Sequence, residues 1–326
     1  MKCHAIQAHE TGGPEVMKWE EVEVGAPAKG QILIRHAAVG LNFIDVYYRS
    51  GQYPAPSTPF TVGLEGAGVV EAVGEGVTEV KTGDRVAYAA PPLGAYAEAR
   101  LMPADRVVKV PDGISDETAA AMMLKGMTAE YLLRRAYTVK PGDTILFHAA
   151  AGGVGLIACQ WAKAIGATVI GTVGTEEKAA LARAHGCDHP ILYTSEDFVA
   201  RVKEITGGKG VPVVYDSVGK DTFLKSLDCL APRGTLALFG QSSGAVDSFN
   251  PGLLAAKGSL YLTRPSLMVY TAARDDLVDS ANALFDMVKS GKVKIEINNR
   301  YALKDAAQAH RDLEARKTTG STVLIP

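Results

Sequence analysis

Between residues 144 and 263, short apolar runs alternate with segments of helical pattern, and this alternation restricts the fold more than any other feature of the chain. Residues 144–147 form an apolar run, Ala149-Ala150-Ala151-Gly152-Gly153-Val154-Gly155 a turn of small residues, and 154–165 an Ala-rich helix. Strand 168–173, helix 175–184, strand 190–193 and helix 198–205 repeat the unit. Runs at 211–216, 235–239 and 259–263, with a helical segment at 223–230, supply a second half. Each helix carries the chain back to the same end of the sheet, so the strands it joins pair in parallel. Six of them predict an α/β, doubly wound Rossmann sheet.

A glycine turn between the first strand and the first helix of such a sheet lets the backbone approach a pyrophosphate, whose charge then faces the free N–H groups of the helix. Gly152, Gly153 and Val154 occupy that place, although Ala150 stands where the usual pattern begins with glycine. A glycine turn packed without ligand is the alternative reading. Connectivity puts Gly174, Ser217, Phe239 and Gly240 at the carboxyl ends of the strands, where ligands of these sheets bind. The second strand ends in Val173-Gly174-Thr175 with no carboxylate of the kind that holds a ribose 2′-hydroxyl. Glu176 and Glu177 read instead as first-turn acids of a helix capped by Thr175. Lys178 then stands near the crevice, either meeting a 2′-phosphate or simply solvated, and NADP(H) is the favoured cofactor.

The amino-terminal third has another grain, with short apolar runs punctuated by Gly63, Gly66, Gly68, Gly74, Gly76 and Gly83. It reads as a compact β-rich domain. The 326 residues, 47% hydrophobic and 21% charged, suffice for two cores. A net charge of −2 gives no broad basis for binding nucleic acid or membranes. No apolar stretch reaches spanning length, and Met1 to Gln7 lacks the apolar core of a signal peptide, so a cytoplasmic enzyme is expected. Cys3, Cys159, Cys187 and Cys229 are scattered singly, as expected of reduced, buried thiols. The histidines are equally dispersed; His148, inside the first Rossmann strand, suits a structural role, and local spacing builds no zinc site.

Taken in order, Gly63-Leu64-Glu65-Gly66-Ala67-Gly68, Gly83-Asp84-Arg85-Val86, Gly126-Met127-Thr128-Ala129 and Ala150-Ala151-Gly152-Gly153-Val154-Gly155 resemble the medium-chain dehydrogenase/reductase superfamily. Asn42-Phe43-Ile44-Asp45-Val46-Tyr47-Tyr48, Thr263-Arg264-Pro265-Ser266-Leu267 and 320–326 bring the chain nearest to its zinc-free quinone oxidoreductases, the ζ-crystallin type. The resemblance runs from end to end. It implies a GroES-like catalytic domain of residues 1–125 and 266–326, a Rossmann domain of 126–265, and a cleft between them. Asn42, Leu64 and Lys125 stand where the zinc branch carries Cys, His and Cys, and neither leucine nor an ammonium can hold zinc. Without a Lewis acid to ionise an alcohol, an acceptor that takes hydride unaided, such as a quinone or conjugated carbonyl, is expected.

The resemblance also distributes roles. Asn42 and Tyr47 line the site near the nicotinamide, Tyr53 lies at the substrate mouth, Asp45 orders the loop or meets the cofactor, and Tyr48 reads as partly buried packing. Thr128 faces the carboxamide. Lys178, Tyr193 and Arg316 surround the 2′-phosphate, with Arg316-Lys317 as a solvated charge cluster the alternative. Ser217, Phe239, Gly240 and Ser242 follow the cofactor, and Arg264 contacts it or supports the active-site loop. The tail, with helix 272–289 and strands 295–297 and 322–325, returns to the amino-terminal domain. Edge strand 259–263 would expose unpaired groups, which predicts a homodimer built on it. NADPH-dependent quinone reduction is the leading expectation; enone or enoyl thioester reduction, and a crystallin-like or RNA-binding role, are the alternatives.

Overall fold

All six strands of the second half pair as the alternation predicts. In the computed structural model, which describes residues 1–55 and 57–326, their order is His189–Leu192, Thr168–Val173, Thr144–Phe147, Val211–Asp216, Leu230–Leu238 and Tyr261–Thr263. Every neighbouring pair is parallel. Winding reverses between Thr144–Phe147 and Val211–Asp216, and such a reversal opens a crevice at the carboxyl ends of the two strands. The core between sheet and helices holds Leu146, Ile170, Ile191, Val214, Phe223 and Leu236, all wholly or almost wholly buried. Each contributes about 1.5–3 kcal/mol relative to exposure.

Two helix ends show how local chemistry sets a boundary. Helix Gly153–Ile165 begins after Gly152 and ends at Gly166, whose φ of 99° is the left-handed closure that glycine adopts freely. Helix Glu176–Ala184 is capped by Thr175, whose hydroxyl accepts the Lys178 N–H at 3.3 Å. Several expected boundaries shift. The helix at Phe223 stops at Asp228, and the following strand starts at Leu230 rather than at residue 235, running through Pro232 and Gly234. The edge strand is shorter than expected, because Ser259 takes a φ of 57° and pairing starts only at Tyr261.

The described residues gather into two units. One contains Thr128–Tyr270 and Ser290–Lys294, the other Met1–Met127, Thr271–Lys289 and Ile295–Pro326. In the latter, strand Gln31–Leu41 pairs antiparallel with Glu65–Val73, Ala99–Pro103 and Ser321–Ile325, which ties the carboxyl-terminal tail to the amino-terminal β-structure. Helix Arg274–Lys289 buries Leu277, Ala281 and Leu284, as its period predicts, while Val288 is half-buried. Gly126 makes room for Leu284, whose side chain would overlap any Cβ placed there. Strand Ile297–Ala302 lies further along than the expected 295–297.

Candidate active site

The glycine turn owes its shape to more than glycine. Ala149 takes a left-handed φ of 55°, the Ala150 N–H donates to the Thr172 carbonyl at 3.1 Å, and the Gly152 N–H to the Ala149 carbonyl at 2.9 Å. The methyl of Ala150, absent from the usual motif, is accommodated by a glycine in the next strand: a Cβ on Gly171 would stand 2.6 Å from it. Gly155 must stay bare because a side chain there would enter the backbone of Ala149 and Ala150. Gly152, Gly153 and Val154 are partly exposed at the helix start, where the first N–H groups have no partner within the helix.

Around the turn the structure gathers most of the residues expected along a nucleotide. The N–H groups of Phe239 and Gly240 donate to the Asp216 carbonyl at 2.8 and 3.3 Å, and the Ser242 N–H to the Ser217 carbonyl at 3.1 Å. The Phe239 ring lies 5.7 Å from that of Phe147, and a Cβ on Gly240 would come 2.6 Å from the Ser217 carbonyl oxygen. Gly174 and Tyr193 are neighbours, since a Cβ on Gly174 would lie 3.0 Å from the tyrosine hydroxyl. Tyr193 is exposed, and Lys178 sits one turn into the helix that follows Gly174 and Thr175. The Arg264 guanidinium donates to the Leu238 carbonyl at 2.9 Å. Thr128 is buried in helix Asp116–Tyr131 of the same unit.

Beneath these residues lies a buried chain that the motifs do not announce. The Asp216 carboxylate accepts from the N–H groups of Val218 and Gly219 and the hydroxyls of Thr222 and Ser226. Ser226 and Thr172 bracket the His148 ring at 3.0 and 2.9 Å. Burial lowers the pKa of His148 and keeps the ring neutral, a structural role. A carboxylate closing the apolar run Val211-Pro212-Val213-Val214-Tyr215-Asp216 was the available sequence signal, because a buried charge must find donors.

The other unit assembles a second cluster around Asn42. This residue precedes helix Phe43–Arg49, and its backbone N–H donates to Asp45 Oδ2 at 2.9 Å. Its amide Nδ2 donates to Glu65 Oε2 at 2.7 Å. Lys125 Nζ lies 3.4 Å from the same oxygen and donates to the Leu41 carbonyl at 3.1 Å. Tyr47 from the first helical turns meets Tyr53 with ring centroids 5.2 Å apart, and Tyr48 meets Tyr53 edge-on at 5.6 Å. Asp45 is wholly enclosed and also accepts from the Tyr96 hydroxyl at 3.0 Å. Burial pushes its carboxyl up to about 7. Arg316 follows helix Ala306–Glu314 in this unit at a φ of 59°, its N–H donating to the Leu313 carbonyl.

Glu65, which unites Asn42 with Lys125, escapes the sequence reading although it lies inside a glycine-rich motif. An acid among the small and apolar residues of Gly63-Leu64-Glu65-Gly66-Ala67-Gly68 was the signal. No group of three or more His, Cys, Asp or Glu able to hold a metal is found among the described residues. All four cysteines are buried and free. No described helix is long and apolar enough to cross a membrane.

Two family models match the chain, an alcohol dehydrogenase GroES-like domain over residues 28–112 and a zinc-binding dehydrogenase over residues 153–277. Quinone oxidoreductase of Pseudomonas aeruginosa is 56% identical across 98% of this chain and 99% of its own length. The 2-haloacrylate reductase of a Burkholderia species is 50% identical across 99% and 98%. Among solved structures, Escherichia coli quinone oxidoreductase complexed with NADPH superposes with a TM-score of 0.98 at 53% identity, covering 99% of this chain and all of the other.

Proposed function

The chain belongs to the quinone oxidoreductases of the medium-chain dehydrogenase/reductase superfamily, and on that footing we propose that it reduces quinones with NADPH. The observation that carries this reading is the match to the NADPH-complexed E. coli enzyme over almost the whole chain. The residues fit the nucleotide: a wound parallel sheet, a glycine turn at the start of its first helix, no carboxylate at the end of the second strand, and a lysine one turn into the helix that follows. Gly152, Gly153 and Val154 hold the diphosphate at the start of helix Gly153–Ile165. Lys178 and Tyr193 take the 2′-phosphate, Gly174, Ser217, Phe239, Gly240 and Ser242 line the nucleotide, and Thr128 meets the carboxamide. Arg264, through its bond to the Leu238 carbonyl, steadies the loop that follows.

Bound NADPH supplies the hydride. On the acceptor side, Asn42 offers an amide to a quinone oxygen while Tyr47 and Tyr53 cover the ring, an arrangement that orients an aromatic acceptor without a strong acid. Asp45 acts by fixing the backbone of Asn42. The reaction needs no zinc, because Leu64 and Lys125 supply no ligand and a quinone needs no metal to accept hydride. The 2-haloacrylate reductase among the relatives favours a second reading, reduction of an activated C=C bond by the same residues.

Steady-state oxidation of NADPH and NADH against benzoquinones, naphthoquinones and enones, on protein assayed for metal, tests both readings. Rapid NADPH oxidation with quinones by metal-free protein is expected. Inertness toward every quinone with activity on enones would move the assignment to the second reading. Four unpaired buried cysteines suit a reducing compartment, so we place the protein in the cytoplasm. Edge strand Tyr261–Thr263, with Tyr261 63% exposed, is the surface on which a second copy would pair. A homodimer follows, and a concentration-independent monomer in ultracentrifugation would refute it.

A further inference from the structure

Resting on the quinone reading above, we propose that Lys125 is a catalytic residue, its ammonium donating a hydrogen bond to the quinone oxygen on which negative charge gathers during reduction. Burying a lysine is expensive. Its side chain is 7% exposed and that of its partner Glu65 not at all. Replacing such a pair with apolar residues is often neutral or stabilising, so stability alone does not account for it.

The geometry supplies a reason. Glu65 spends its shorter bonds elsewhere, accepting from Leu124 N–H on Oε1 and Asn42 Nδ2 on Oε2, both at 2.7 Å. Lys125 is held more loosely, at 3.4 Å from Oε2 and 3.1 Å from the Leu41 carbonyl. An ammonium has three donors, and no third acceptor for this one is found among the described residues. Asn42 Nδ2 and Lys125 Nζ lie 2.7 and 3.4 Å from the same Glu65 oxygen, so amide and ammonium are neighbours, and one quinone oxygen can be offered to both. Gly40 permits the arrangement, since a Cβ there would overlap the Glu65 carboxylate and the Ala120 carbonyl.

In the step itself the quinone takes up the hydrogen and two electrons that reduced NADP gives up, and one carbonyl oxygen gains the electron pair of the broken π bond. Water supplies the proton that completes the hydroquinone. Lys125 keeps its own proton and acts as a preorganised donor in a water-poor setting, where such donors are most effective.

The test compares binding of two compounds to the enzyme loaded with NADP⁺: 2-hydroxy-1,4-naphthoquinone, an anion at neutral pH that stands in for the charged oxygen, and neutral 1,4-naphthoquinone. Lys125→Gln is expected to weaken the anion by about 10-fold or more and to leave the neutral compound within about 2-fold. It should also lower kcat for 1,4-naphthoquinone on the order of 100-fold with little change in KM. Lys125→Arg should recover most of the anion affinity. If Lys125→Gln fails to fold, Glu65→Gln combined with Lys125→Met removes both charges and carries the same expectation. Wild-type anion preference and kcat in either variant would overturn the role of Lys125 and leave the quinone reading intact. A wild-type enzyme inert to every quinone would overturn both.

Discussion

Two aspartates, each fully enclosed, set the two units of the molecule apart. Asp216 in the parallel sheet accepts on both oxygens from two backbone N–H groups and two hydroxyls. Asp45 in the other unit accepts on Oδ2 alone, from Asn42 N–H and the Tyr96 hydroxyl, and its Oδ1 has no partner among the described residues. A buried carboxylate is tolerable when its lone pairs are matched and costly otherwise. Asp216 is therefore scaffold, knitting strand ends and turns beneath the residues proposed to line the nucleotide. Asp45 is held near its neutral form, and what it secures is the orientation of Asn42.

The largest test of that contrast is Asp216→Ala, which strands several buried donors and should cost about 3 kcal/mol or more in urea denaturation. Asp45→Asn, close in shape and already near neutral, should cost no more than about 1 kcal/mol at pH 7. Equal losses would erase the distinction. Next in size, Lys178→Ala should weaken NADPH by about 1.5–3 kcal/mol, a charged hydrogen bond to phosphate, while NADH binding holds steady in a fluorescence titration. Equal weakening of both would remove Lys178 from the phosphate site.

The remaining test reads a slope rather than a single loss. The Asp45 carboxyl, near 7 when folded, has a pKa of about 3.9 in the unfolded chain. From about pH 4 to 7 the folded state keeps a proton that the unfolded state has released, so this group lowers stability as pH rises, by about 1.4 kcal/mol per unit. His36 and His310, lowered by burial to about 4 and about 3, act in the opposite sense, removing stability as pH falls below about 6.5. The difference between wild type and Asp45→Asn isolates the carboxyl. Wild type should lose ground to the variant as pH rises from 4 to 7, and a flat difference would mean that Asp45 ionises as readily folded as unfolded.

The same contrast explains what could be read in advance. The parallel sheet was legible because an apolar run bounded by caps and glycines is a local signal; Thr168–Val173, Phe198–Ile205 and Val211–Asp216 begin and end where the pattern says. Strand Ile297–Ala302 was displaced in the reading because Asn298, Asn299 and Arg300 give it a polar, half-exposed pattern without an apolar run. The cluster around Asn42 was only partly legible. Asn42, Tyr47 and Tyr53 lie close in sequence, but Glu65 reaches Asn42 across 23 residues and Lys125 reaches Glu65 across 60. Such pairings depend on tertiary packing, and only the oddity of an acid or a lysine in an apolar segment hints at them.

A crystal of the protein grown with NADPH measures most directly whether one unit carries the nucleotide as described. The diphosphate should lie at the amino end of helix Gly153–Ile165, with the 2′-phosphate within hydrogen-bonding distance of the Lys178 ammonium. Nucleotide density elsewhere, or a 2′-phosphate turned away from Lys178 and Tyr193, would contradict the account.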